Sequence, residues 1–411
     1  MSKKTQDTPT GLRIRMYRVG FGDCFLVSFP VDGDYRHILI DCGVHARGDI
    51  HTMKDIIANI AQETQKQLVV VIATHAHQDH ISGFGSGADT FKGFSVGEVW
   101  MPWTEDPADD LASRLRRKRN ALALALADHF ALAGGSAEAL AAVQNISGNQ
   151  APLQLLHSGF NGKARVRYLE AGDELSSVTG IPGLSVKVLG PPRDQEFLSR
   201  MDPPASQRYL QPGADGAARF QNVVVPFSAK WARKRNDPLV EPVRMRPVEE
   251  KHLQQKLADL SLEELAFTLD QALNNTSVVT LMSFSGQKLL FPGDAQYGNW
   301  KFWLQQKSSD ELLAGIQFYK VAHHGSFNAT PKGALQKMAP GGFAAMASTQ
   351  SVPWKSIPRM PLMRALEAQT KRKLVRSDSL VIKGAPKGPT MGKLPSGFRK
   401  GPFWYDYVVS V

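Results

Sequence analysis

Three imidazoles and a carboxylate fall within six residues in Thr74-His75-Ala76-His77-Gln78-Asp79-His80. The apolar run from Leu68 to Ala73 reads as a short buried strand, so the cluster stands where a strand gives way to a loop. Residues two apart can project to one side there, which lets His75 and His77 bind one cation while Asp79 and His80 reach a neighbouring one. Neutral imidazole nitrogens and carboxylate oxygens suit Zn²⁺, Mn²⁺ or iron. A second carboxylate, Asp294, follows Leu290-Phe291-Pro292-Gly293, an apolar strand end and a glycine that permits a tight turn. As a bridge it would complete His75, His77 and Asp294 at one ion, and Asp79, His80 and Asp294 at the other. Each ion would then keep open positions, as a catalytic centre requires.

A third strand-to-loop transition, Tyr319-Lys320-Val321-Ala322-His323-His324-Gly325-Ser326, adds a histidine pair. Either His323 or His324 could ligate a metal or hydrogen-bond a substrate oxyanion, with Ser326 and the Gly325 backbone as further donors. Hydrolysis by a metal-bound hydroxide is the chemistry such groups perform together. Asp79 would orient the nucleophile, and His323 or His324 would steady the charged intermediate or protonate the leaving oxygen.

Composition restricts the alternatives. Two cysteines in 411 residues exclude a disulfide scaffold and any Cys-rich zinc module. Apolar residues at 42% and charged residues at 21% suit a chain with a large core. The first ten residues are polar and lack the apolar segment of a secretory signal, and no stretch approaches the roughly 20 apolar residues of a membrane span. The expectation is a soluble, cytoplasmic protein without a membrane partner.

The elements that must position these groups are legible as alternating batches. Residues 12 to 30 alternate like strands and turn at Asp32-Gly33-Asp34 into a strand from Arg36 to Ile40. Helices are expected from Met53 to Ala61, Asp109 to Ala133, Ala137 to Val143, Glu249 to Leu257, Leu262 to Leu273 and Pro358 to Gln369. Strands are expected at Arg165 to Leu169, Leu184 to Leu189, Val278 to Phe284, Lys288 to Phe291, Gln317 to Ala322, Phe343 to Ala347 and Phe403 to Val409. Regularity fades over about 202–250 and again over about 383–400, which read as an insertion and a basic Gly/Pro-rich tail. Residues 1–10 read as a disordered terminus, and 11–411 as a single domain. Cys24 and Cys42 are expected as buried small residues on adjacent strands.

The sequence resembles the metallo-β-lactamase superfamily, and within it the branch typified by the soluble metal-binding domain of the competence protein ComEC. The matching segments are Val19-Gly20-Phe21-Gly22-Asp23-Cys24, Leu39-Ile40-Asp41-Cys42-Gly43, the His75 to His80 cluster, Asn274-Asn275-Thr276-Ser277, Gly293-Asp294 and His323-His324-Gly325-Ser326. The resemblance implies an αββα sandwich, here with an irregular insertion, and two divalent metal ions, Zn or Mn with Mg also suitable. It also implies hydrolysis, with phosphodiesters or nucleic acid as the usual substrates of the branch, and supporting roles for Asp23 and Asp41. The chain departs from the family pattern in two places. Gly190 stands where many members place a further ligating histidine, and no histidine follows His324. His129 and His157, both on helical segments, are poor replacements.

Charge supports a polyanionic substrate. Three runs, Arg114 to Arg119, Lys230 to Arg235 and Lys371 to Arg376, hold thirteen basic residues and no acid, which exceeds the whole net charge of +11. Helical spacing turns Leu111, Leu115, Leu122 and Leu126 inward, leaving Arg116, Lys118 and Arg119 largely outward. Such patches favour nucleic acid or a nucleotide because each phosphate neutralised releases counterions. Two other readings compete: a catalytically weakened module binding nucleic acid or a partner protein, and a lactone, thioester or β-lactam hydrolase.

Overall fold

The computed structural model describes residues 11–209, 262–379 and 393–411. The expected helix from Glu249 to Leu257, the run from Lys230 to Arg235, the terminus 1–10 and most of the insertion and tail lie outside the described residues.

Alternation along the strands builds two sheets with four layers. The first sheet begins with β1 (Leu12–Tyr17), β2 (Cys24–Val31), β3 (Asp34–Cys42), β4 (Gln67–Ile72), β5 (Ser95–Pro102) and β6 (Arg165–Leu169), side by side in that order. The second contains β7 (Glu174–Leu175), β8 (Ser185–Gly190), β9 (Val279–Phe284), β10 (Gln287–Phe291), β11 (Phe318–Lys320), β12 (Ala344–Ala347) and β13 (Leu374–Arg376), again in sequence order. The last strands, β14 (Phe398–Lys400) and β15 (Trp404–Val409), return to the first sheet beside β1. The register of β15 on β1 runs from Leu12 opposite Val409 to Tyr17 opposite Trp404.

Successive residues of a strand enter different cores, as a two-residue period demands. Ile38 and Ile40 face the layer between the sheets while Leu39 faces outward; Leu289 and Phe291 do the same around Leu290. The outward face of the first sheet is covered by α1 (Met53–Thr64) through Ile56, Ile57 and Ile60, and by α2 (Gln78–Ser86) through Ile81 and Phe84. That of the second sheet is covered by α7 (Tyr297–Leu304), through Trp300 and Trp303, and by α8 (Met360–Gln369), through Leu362 and Leu366. The result is the αββα sandwich expected from the sequence. A satellite core joins three further helices, α3 (Asp110–Ala133), α4 (Ala137–Ile146) and α6 (Leu262–Asn274), while α5 (Gln150–His157) packs Leu155 and Leu156 with α2. Among the described residues no helix is long and apolar enough to cross a membrane.

Differences from the sequence reading have local causes. Helix α8 begins at Met360 with Pro361 in its first turn, not at Pro358. Helix α2 escapes periodicity because Gly83 and Gly85 lie within it. Gly83 is obligatory there: a Cβ would come within 2.6 Å of the Cys42 carbonyl oxygen. The outward placement of Arg116 and Arg119 is corrected. Arg116 donates to the backbone oxygens of Thr104 and Asp106, and Arg119 pairs with buried Glu105 at 2.9 Å. Arg376 likewise pairs with Asp378, and Lys373 donates to the Gly341 oxygen. Arg114, Arg117 and Lys118 remain exposed on α3. Cys24 and Cys42 are buried, unbridged partners on β2 and β3.

Candidate metal centre

Parallel pairing of β3 with β4 sets Asp41, near the end of β3, beside Thr74, just past the end of β4. The Asp41 carboxylate accepts from the Thr74 amide and hydroxyl, each at 2.7 Å, and from His80 Nδ1 at 2.7 Å. Three charge-assisted bonds therefore shape the loop and leave His80 Nε2 as the free ring nitrogen. Gly43 lets the end of β3 press against this loop, since a Cβ there would stand 2.5 Å from the Asp79 carbonyl carbon. The Asp23 amide completes the junction by donating to the Asp79 carbonyl at 2.9 Å.

From the opposite sheet, the turn after β10 delivers Asp294 and the segment after β11 delivers His324. His323 and His324 both adopt left-handed backbone conformations, at φ 45° and 51°, followed by Gly325 at 82°. Two consecutive non-glycine residues in that region are costly and persist only where the surroundings hold them. Here the His324 Nδ1 proton goes to the Ser348 carbonyl at 2.9 Å, while the Phe21 ring packs on the imidazole with centroids 4.3 Å apart.

The structure brings four donors together, all buried: Asp79, His80, Asp294 and His324. His324 Nε2 lies 2.9 Å from Asp79 Oδ2 and 3.0 Å from Asp294 Oδ2; His80 Nε2 lies 3.1 Å from Asp294 Oδ2 and 3.7 Å from Asp79 Oδ2. Donors set tetrahedrally about 2.1 Å from a zinc-sized ion would stand roughly 3.4 Å apart, close to these separations. His80 Nε2 and Asp79 Oδ1 are buried with no hydrogen bond of acceptable geometry. Unpartnered buried atoms on two members of a converging His and Asp cluster fit a divalent ion.

Electrostatics agree. Burial opposes charge on His80, yet Asp294, Asp79 and Asp41 outweigh it and push the imidazole well above its usual range. Burial likewise opposes charge on His324, and Asp294 and Asp23 raise it to about 10. Against the opposing effect of burial, His80 and His324 draw the Asp79 carboxyl far below its usual range. His324, His80 and Lys320 overcome burial in the same way and hold Asp294 well below it. The pocket thus attracts positive charge strongly.

His75 and His77 stand alongside. His75 Nε2 and His77 Nδ1 face each other at 2.9 Å, and the His75 and His80 rings lie 4.1 Å apart by centroid. Burial depresses both, His77 to about 3, which keeps them neutral and able to ligate. The outer nitrogen of His75, Nδ1, lies near the hydroxyls of Thr74 and Ser277, and the outer nitrogen of His77, Nε2, faces Asp270 on α6 at 3.4 Å. Among the described residues neither imidazole belongs to a group of three or more converging donors. Asp294 Oδ2 faces His80 and His324, and its Oδ1 accepts from Lys320 at 3.1 Å.

Both nitrogens of His324 are engaged, Nε2 with Asp79 and Nδ1 with the Ser348 carbonyl. His323 lies beside the centre and is only partly buried. Its Nδ1 meets Asn328 Oδ1 at 3.1 Å and its Nε2 meets Asn274 Nδ2 at 3.2 Å. His129 is exposed on α3, and His157 hydrogen-bonds Tyr168, so neither joins the site. Gly190 leaves no space for a histidine: a Cβ would come within 2.0 Å of Asn299 Oδ1.

Sequence reasoning missed Lys320, Asp270 and Asn145. Lys320 is 2% exposed, donates to the Gly293 carbonyl at 2.8 Å and pairs with Asp23. Asn145 on α4 accepts from the Asp79 amide at 3.2 Å and donates to Asp270 at 3.2 Å. A lysine inside an apolar strand end was a readable signal; nothing local to Asp270 or Asn145 marked either residue.

In comparison with known proteins, residues 17–140 match the family model of the metallo-beta-lactamase superfamily, a span that holds Asp23, Asp41 and the His75 to His80 loop. The metallo-beta-lactamase fold protein YhfI from Bacillus subtilis is a structural match at 9% identity, covering 89% of this chain and 96% of its own, with a TM-score of 0.35. No curated protein matches the sequence.

Proposed function

We propose that the protein is a metal-dependent hydrolase of phosphodiesters, acting on nucleic acid or nucleotides in the manner of the ComEC-like branch its sequence resembles. The observation that carries the hydrolase reading is the buried cluster of Asp79, His80, Asp294 and His324, in which His80 Nε2 and Asp79 Oδ1 have no hydrogen-bond partner. A divalent cation held there supplies Lewis acidity, which lowers the pKa of a water and offsets negative charge on substrate oxygens.

The chain's own residues divide the remaining work. Asp41 and the Ser348 carbonyl hold the outer nitrogens of His80 and His324, so that both rings present Nε2. Asn145 fixes the Asp79 amide, and Asp79 Oδ1 is left to accept a hydrogen bond from the attacking water and so orient it. Asn328 Oδ1 can only accept, so His323 carries its proton on Nδ1 and accepts from Asn274 at Nε2. His323 therefore fixes the Asn274 amide and is not the acid that releases the leaving group.

Exposed Arg114, Arg117 and Lys118 support a polyanionic substrate, because their helix packs with the two helices that supply Asn145 and Asp270 to the metal loop. The test is an activity panel on metal-reconstituted protein, covering single- and double-stranded DNA, RNA, cyclic nucleotides, simple phosphodiesters, lactones and thioesters, with Asp294→Ala as the blank. Turnover of a phosphodiester that Asp294→Ala abolishes supports the proposal. Turnover confined to lactones or thioesters, or chelator-resistant nucleic-acid binding with no turnover, overturns it.

A further inference from the structure

Lys320 is buried between two carboxylates that belong to the centre. Its ammonium pairs with Asp23, donates to Asp294 Oδ1 at 3.1 Å and donates to the Gly293 carbonyl at 2.8 Å. The other oxygen of Asp294 faces His80 and His324. Each oxygen of the carboxylate is therefore already assigned, one to the four-donor cluster and one to an internal cation.

This leaves His75 and His77 as a pair of imidazoles without a carboxylate between them. Their facing atoms, Nε2 and Nδ1, are 2.9 Å apart, and the nearby Asp270 carboxylate approaches His77 from its opposite nitrogen. Gly190 has no room for a third imidazole. Catalytic sites for such ions ordinarily use three protein ligands, at least some of them anionic when nitrogens are few.

We propose that the centre is strongly asymmetric: one divalent ion binds tightly at Asp79, His80, Asp294 and His324, and Lys320, by occupying Asp294 Oδ1, keeps the His75–His77 position a weak second site. The inference rests on the metal-binding part of the proposed function and not on its substrate. Loss of one supporting group alone typically costs 10- to 100-fold in metal affinity, so the second site, lacking a whole anionic donor, should bind on the order of 100-fold more weakly.

The test titrates the metal-free full-length chain with Zn²⁺ and with Mn²⁺ against a competing chelator, by calorimetry, and counts retained metal by elemental analysis after gel filtration. One tight equivalent per chain is expected. His77→Ala should retain that equivalent and His324→Ala should lose it, with circular dichroism confirming that both fold. Lys320→Met should strengthen the second equivalent at least tenfold. Two wild-type equivalents of similar affinity, or loss of the tight ion in His77→Ala, would overturn the asymmetry; a folded Lys320→Met with an unchanged second equivalent would overturn the role of Lys320. Should Lys320→Met not fold, Lys320→Gln in the same titration decides that role. Turnover is not a readout, so a failed activity panel and a failed titration remain distinguishable.

Discussion

Asp270, near the end of a helix in the second half of the chain, faces Nε2 of His77 at 3.4 Å. No hydrogen bond of acceptable geometry joins the two, but a carboxylate on this side favours the Nε2-protonated tautomer of the ring, which leaves Nδ1 as the nitrogen able to meet a metal. Asn145 donates to the same carboxylate at 3.2 Å and so links two helices of the satellite core to the metal loop. We expect Asp270→Ala to leave the tight ion bound and to mix the two His77 tautomers. Nitrogen-15 imidazole spectra of the metal-free protein would show this; a His77 that stays a single Nε2-protonated tautomer would remove Asp270 from that role.

Gly190 sits against Asn299, whose amide donates to the carbonyls of Asn275 and Ser277. A methyl at position 190 has to displace this buried network. Gly190→Ala should therefore destabilise the protein by about 1–3 kcal/mol, the usual cost of overpacking, seen as a lower urea midpoint at unchanged slope. An unshifted midpoint would show that Asn299 yields without cost.

His37 lies far from the centre, buried on β3 with Nδ1 3.0 Å from the Ser28 hydroxyl. Burial, helped by Arg13, lowers it from 6.5 to about 4. Between those values the unfolded chain binds a proton that the folded chain refuses, so stability is complete above pH 6.5 and declines as pH falls toward 4. The full loss from this group is on the order of 3 kcal/mol. In His37→Phe the fall in melting temperature over that window should be shallower than in the wild type, whatever the variant's absolute stability. Parallel curves would contradict the assignment.

The basic run on α3 separates into two kinds of residue. Arg114, Arg117 and Lys118 are exposed, whereas Arg116 holds the backbone oxygens of Thr104 and Asp106. Replacing the exposed three with alanine should weaken nucleic-acid binding across sequences and reduce the salt-dependence slope by roughly one for each phosphate no longer neutralised. Arg116→Ala should lower thermal stability instead. If the triple variant binds with the wild-type slope, the run is not the polyanion surface.

Short-range pattern carried much of this protein. The strand-to-loop position of His75 to His80, the glycine before Asp294, the pair His323-His324 and most sheet strands are local facts, written in two-residue alternation and in spacings of a few residues. The ion type to be expected followed from the same facts, because a chain with two cysteines must build a metal site from imidazole and carboxylate. Tertiary structure alone decided the division of labour. Whether His323 or His324 turns inward depends on consecutive left-handed residues held by Asn328 in the same loop and by Ser348 and Asn274 from other parts of the chain. The assignment of Asp294's two oxygens depends on how the two sheets face each other, which sets Lys320 and Asp23 on one side and His80 on the other. Asp270 and Asn145 reach the loop only because helices remote in sequence share a small core. Residue type and spacing name the available chemistry; the packing of distant elements determines which atom of each residue is free to perform it.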